Sequence, residues 1–175
     1  MYLVSIYFDE KAEQRILQYI KQVAKSSRNP FMLDTKVPAH ITIAAFETKD
    51  EEAAIVCLKE AFKAVQRGKL QWVSVGQFFP YVIYLTPVLN EYLHGLSVQI
   101  HAALSSLDDV KISPFYRPFQ WLPHTTIGKK LAPEEMFAAF EVMRKNFSMF
   151  EGEVVRIGLA RTNPYQDILS WEIDF

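Results

Sequence analysis

Pro38-Ala39-His40-Ile41-Thr42-Ile43 is echoed further along the chain by Pro123-His124-Thr125-Thr126-Ile127. Each copy carries a threonine two residues after a histidine, then an aliphatic residue. Both are β-branched and apolar enough to read as strands. Side chains on a strand alternate between faces, so His40 shares a face with Thr42, and His124 with Thr126. Brought side by side, two such strands present two imidazoles and two hydroxyls to one space. Imidazole titrates unaided near neutral pH, so a pair can supply an acid and a base in one step. Hydroxyls donate hydrogen bonds to a bound oxyanion. The set suits phosphoryl chemistry. One His-x-Thr is a common accident; its repetition at matching places carries the reading.

The places match because the flanking elements repeat. In the first half, residues 2–8 read as a strand, and Asp9 caps a helix to about Lys25 with Ile16, Leu17, Ile20 and Val23 on one face. A loop from Ser26 to Val37 leads to the motif strand, His40–Phe46, then to a helix from about Asp50 to Gln66 and a strand at 70–79. Arg67-Gly68 is expected to close that helix. In the second half, Tyr81–Thr86 reads as a strand, Asn90–Ser105 as a helix and Leu107–Leu122 as a loop. His124–Lys129 is the motif strand, Pro133 opens a helix to about Asn146, and 152–161 and 168–174 are strands around the Asn163-Pro164 turn. Two copies of such a unit predict an α+β duplication with a largely antiparallel sheet and helices outside. The whole chain, 1–175, is expected to be one domain with approximate halves 1–80 and 81–175.

Composition narrows the classes. Half of the 175 residues are hydrophobic and 22% are charged, enough to bury a sizeable core. With 19 basic against 20 acidic residues, binding to long duplex nucleic acid such as DNA is disfavoured; a short RNA end needs only a local positive patch. Cys57 is the single cysteine, so no internal disulfide forms, and its apolar setting reads as a buried thiol. No basic segment precedes an apolar stretch at the start, and no run reaches membrane-spanning length. The expected setting is the cytoplasm, without a membrane.

Paired His-x-Thr-aliphatic motifs, each following a proline some eighty residues apart, resemble those of the two-histidine (2H) phosphoesterase superfamily, within it the bacterial 2'-5' RNA ligase-like branch that includes RNA 2',3'-cyclic phosphodiesterases. The resemblance runs through nearly the whole chain. It implies two pseudosymmetric lobes with sheets around a central groove, His40 opposite His124. It further implies action on RNA ends or small cyclic-phosphate nucleotides; no cofactor or metal is expected, and a monomer is expected. One histidine takes a proton from water, the other gives one to the leaving ribose oxygen, and Thr42 and Thr126 hold the phosphate oxygens. The product is a 2'-phosphate, with 2'-5' RNA ligation as a related activity. The rivals are a cyclic phosphate of ADP-ribose as substrate, or a non-catalytic module binding RNA ends or nucleotides.

Further candidates flank the tetrad. In the family a basic residue often stands five places after the second histidine, which is Lys129; regular strand alternation instead gives Lys130 the face of His124. The loop before His124 carries Phe115, Tyr116, Arg117, Phe119 and Trp121. Of these, Tyr116, Arg117 and Trp121 are candidates to stack a base or pair with a phosphate. The matching loop before His40 offers Arg28, Phe31 and Lys36. His94 and His101 stand nearly two helical turns apart, too far to share a metal unaided.

Overall fold

Asp9 opens the first helix: its Oδ1 accepts from the Ala12 amide at 3.0 Å, satisfying one of the donors a helix start leaves unpaired. In the computed structural model, which describes residues 1–174, that helix is α1 (Glu10–Ser27) and follows strand β1 (Tyr2–Phe8). Ala12, Ile16, Tyr19, Ile20 and Val23 form its buried face. It runs two residues past the expected end, then stops where Arg28 turns left-handed at φ 59°.

The chain continues through a one-turn helix α2 (Phe31–Asp34), β2 (Ile41–Glu47), α3 (Glu51–Lys63), β3 (Gly68–Phe78) and β4 (Val82–Pro87). Then come α4 (Glu91–Leu104), β5 (Lys111–Ile112), a 3-10 turn at Pro114–Tyr116, β6 (Thr125–Gly128), α5 (Pro133–Asn146), β7 (Phe150–Arg161) and β8 (Gln166–Glu172). Two expected loops therefore contain short elements, α2 and β5. Asn29 Oδ1 accepts from the Phe31 amide at 3.1 Å to start the first. The second is two residues paired to the end of β2.

Gly68 does not close α3. That helix ends at Lys63, and Gly68 instead begins β3, opposite Val154 of β7. A Cβ there would stand 2.3 Å from the Tyr92 ring, so the glycine makes room for Tyr92, whose hydroxyl donates to the Gln66 carbonyl at 3.0 Å.

All strand pairs are antiparallel, and the fold is α+β as expected. The order is β5-β2-β1-β7-β3-β4-β6, with β8 also on β7. Strand β7 is the shared member. Its first residues, 150–154, pair with β3, and its later ones, 156–161, pair with β8, while β1 runs along its other edge. One wing is thus β5-β2-β1 together with β8 across β7, and the other is β3-β4-β6, both hung on β7. The helices cross between sequence halves: α1 packs against α5 and β6, and α3 packs against α4, which covers β2.

Trp72, at the base of the second wing, is fully buried; Phe8 meets its edge and Phe150 stacks on it, both with centroids at 4.8 Å. Its indole Nε1 donates to Thr125 Oγ1 at 3.1 Å, tying the core to the second motif. No helix among the described residues is long and apolar enough to cross a membrane.

Candidate active site

Each motif strand begins one residue after its histidine, at Ile41 and at Thr125. Alternation then sorts the side chains. Ile41, Ile43, Thr125 and Ile127 are buried in the core, which turns His40, Thr42, His124 and Thr126 to the other face. Both histidines are half-buried. His40 Nδ1 lies 2.8 Å from the Pro38 carbonyl, and His124 Nδ1 lies 2.9 Å from the Leu122 carbonyl. A carbonyl only accepts, so both Nδ1 atoms carry the proton, and both Nε2 atoms are left to exchange one. Two residues separated by 84 positions thus reach the same tautomer by the same local bond, two residues upstream of each ring.

Burial is the main force pushing both imidazoles below their ordinary value of 6.5. The Pro38 and Leu122 carbonyls oppose it, since each accepts from its ring. At His40 the positive charges of His124 and Lys129 add to the depression, and the Asp167 carboxylate pulls upward. His124 is therefore close enough for its charge to be felt at His40.

Aromatic walls flank both rings. Tyr7 of β1 stands beside His40, centroids 6.3 Å apart. His124 meets Phe78 of β3 edge-on at 4.7 Å and Tyr84 of β4 at 5.5 Å, and these two rings stack on each other at 4.3 Å. Gly76 makes that wall possible: a Cβ there would come within 2.5 Å of the Tyr84 ring. Burial pushes the Tyr7 and Tyr84 phenols up, so both stay neutral donors. Tyr7, Phe78 and Tyr84 were missed from sequence. Their own strands were read, but which strand would pair with which motif was not.

The remaining candidates separate. Burial pushes the Tyr116 phenol up, and the nearby Thr42 hydroxyl draws it back down. Arg117 is exposed and lines a cleft of about 480 Å³ with His101 and Asp108. Trp121 is only 7% exposed and belongs to the core, where its ring packs instead of offering a face to a base. Lys129 is exposed, and its charge reaches His40. Lys130 does not continue the strand. β6 ends at Gly128, Lys130 turns left-handed at φ 58°, and its ammonium sits 4.4 Å from the Phe31 ring. Strand alternation cannot be carried past that turn. His94 packs on Phe119 at 3.9 Å, and His101 Nδ1 lies 3.3 Å from Ser105 Oγ. Among the described residues no three His, Cys, Asp or Glu side chains gather as metal ligands.

The family model of the 2'-5' RNA ligase superfamily matches residues 8–166. A crystal structure of E. coli LigT complexed with 3'-AMP superposes with a TM-score of 0.63 at 15% identity, covering 99% of this chain and 98% of LigT. The crystal structure of TT0787 of Thermus thermophilus gives 0.65 at 14% identity, covering 98% of this chain and 97% of that one. A structure described as a phosphoesterase gives 0.60 at 16% identity, covering 99% and 98% of the two chains. At these identities the likeness is one of fold. No curated protein matches the chain by sequence.

Proposed function

Because the chain belongs to the 2'-5' RNA ligase superfamily, we propose that it is a metal-independent phosphodiesterase opening 2',3'-cyclic phosphates, at RNA ends or on small nucleotides, to 2'-phosphates. The observation that carries this is the matched pair of Nδ1–carbonyl bonds, which leaves Nε2 free on both histidines. The neutral imidazole takes a proton at Nε2 from water as the water oxygen attacks phosphorus. The bond from phosphorus to O3' breaks, and the charged imidazole gives its Nε2 proton to that oxygen. Thr42 and Thr126 donate to the non-bridging oxygens, where charge shifts in the transition state. The nucleotide held by E. coli LigT supports an occupant of this size. One chain supplies both histidines, so the chemistry asks for no second copy. If a 5'-hydroxyl replaces water, the same bond breaks and a 2'-5' linkage forms, which makes ligation the second reaction of the site.

The test is an oligonucleotide ending in a 2',3'-cyclic phosphate, incubated in EDTA, with the product read by phosphorus NMR. A 2'-phosphate is expected, with turnover lost in His40→Ala and in His124→Ala. A 3'-phosphate product would reverse the leaving-group assignment. Full activity in either variant would remove the paired motifs from catalysis.

A further inference from the structure

The two histidines share a motif and a backbone bond, yet what stands across from them differs. In the β1–β2 register Ile6 faces Ile41, so Tyr7 comes opposite His40. In the β4–β6 register Leu85 faces Thr125, so Thr86 comes opposite His124. Tyr7 and Thr86 hold equivalent places. The Thr86 hydroxyl is used locally, donating to the Pro123 carbonyl at 3.0 Å. The Tyr7 hydroxyl instead begins a chain. Tyr7 Oη lies 3.3 Å from Tyr165 Oη, and Tyr165 Oη lies 2.7 Å from Asp167 Oδ1. Counting protons gives the chain its direction. A carboxylate only accepts, so the single Tyr165 hydroxyl proton goes to Asp167, and the proton in the 3.3 Å contact comes from Tyr7. Arg156 covers a face of the same Tyr7 ring, its guanidinium carbon 3.6 Å from the centroid.

We propose that Asp167, acting through Tyr165 and Tyr7, is a positioning residue for the His40 imidazole and makes the two histidines of the pair inequivalent. This rests on the reading of His40 and His124 as acid and base. The chain fixes the Tyr7 ring, 4% exposed, that forms the wall beside His40. It also places one carboxylate where its charge opposes those of His124 and Lys129 at His40. The groups facing His40 are Tyr7 from β1, His124 and Lys129 at the two ends of β6, and Asp167 from β8; Tyr165 and Arg156 stand behind Tyr7. No carboxylate contributes in this way at His124, where only burial and the Leu122 carbonyl act.

The test is titration of the histidine rings by NMR on the whole chain, with the His40 signals assigned by their loss in His40→Ala. Asp167→Asn removes the charge but keeps an oxygen for Tyr165. It should move the His40 midpoint to lower pH and leave His124 in place. Tyr165→Phe keeps the charge and cuts the chain. It should leave the His40 midpoint near that of the parent while kcat falls about tenfold or more at unchanged KM. A His40 midpoint unmoved in Asp167→Asn, or one that moves equally at His124, overturns the proposal. So does full kcat in Tyr165→Phe. The titration needs no substrate, so a protein inert on cyclic phosphates would refute the proposed reaction without touching this result.

Discussion

Thr125→Val should uncouple the second histidine from the core. The hydroxyl of Thr125 is fully buried and accepts the indole N–H of Trp72, itself fully buried, at 3.1 Å. Valine fills nearly the same volume, so no cavity opens, but the indole proton loses its partner in a place water does not reach. Leaving one such donor unpaired costs about 1–3 kcal/mol. In a chain of this size, about 2 kcal/mol corresponds to a fall in melting temperature of roughly 4–8 °C. Trp72→Phe also breaks the bond and loses packing besides. Because both single changes remove the same bond, the double variant should be about 1–2 kcal/mol less destabilised than the sum. Thr125 sits between His124 and Thr126, so a loosened strand misplaces both. A displacement near 1 Å costs about a hundredfold in rate. The assay is kcat on a cyclic phosphate, well below the melting temperature, beside the stability cycle. Additive stabilities within about 0.5 kcal/mol, or full kcat in Thr125→Val, would refute the idea that Trp72 positions the second motif.

Other outcomes follow from the same geometry. The rate should rise and then fall with pH; each of His40→Ala and His124→Ala should cost about 3–5 kcal/mol of transition-state stabilisation, and the double variant should be far from multiplicatively worse. Both imidazoles are held below 6.5, so the unfolded chain binds protons first as pH falls. Their contribution to stability is therefore full above the unfolded value and lost as pH drops through the window beneath it, and melting temperatures between about pH 5 and 8 should flatten there in His40→Ala. Gly76→Ala should push Tyr84 off Phe78 and lower turnover, whereas Gly95→Ala, where an added Cβ meets nothing within 4 Å, should leave turnover intact. Lys129→Ala should weaken substrate binding more than Lys130→Ala, since only Lys129 is felt at His40; equal effects in KM would remove that distinction.

The paired motifs were readable because they are short, local patterns: a proline, a histidine and the alternation of a strand. Helices were readable because Asp9 and Pro133 mark their starts and apolar spacing marks their inner faces. What was not readable depends on pairing across the chain. Nothing near His40 announces Tyr7, and nothing near Asp167 announces His40. Gly68 looks like a helix stop until Tyr92 is seen lying where its side chain would be. Trp121 looks like a stacking surface until the core closes over it. Lys130 loses its place to a left-handed turn that strand periodicity does not foresee.

Strand β7 changes partners between Val154 and Arg156, serving β3 before that point and β8 after it, while β1 pairs with residues 154–161 along the opposite edge and shifts register at that same point. The two wings are joined through this one strand, and Val154 and Ile157 on either side of the change are fully buried. His40 enters from the wing that holds β2 and His124 from the wing that holds β6, so on the proposed reaction it is β7 that sets the separation of the two imidazoles. On that reading, choice among substrates falls to the loops that carry Lys36 and Tyr116.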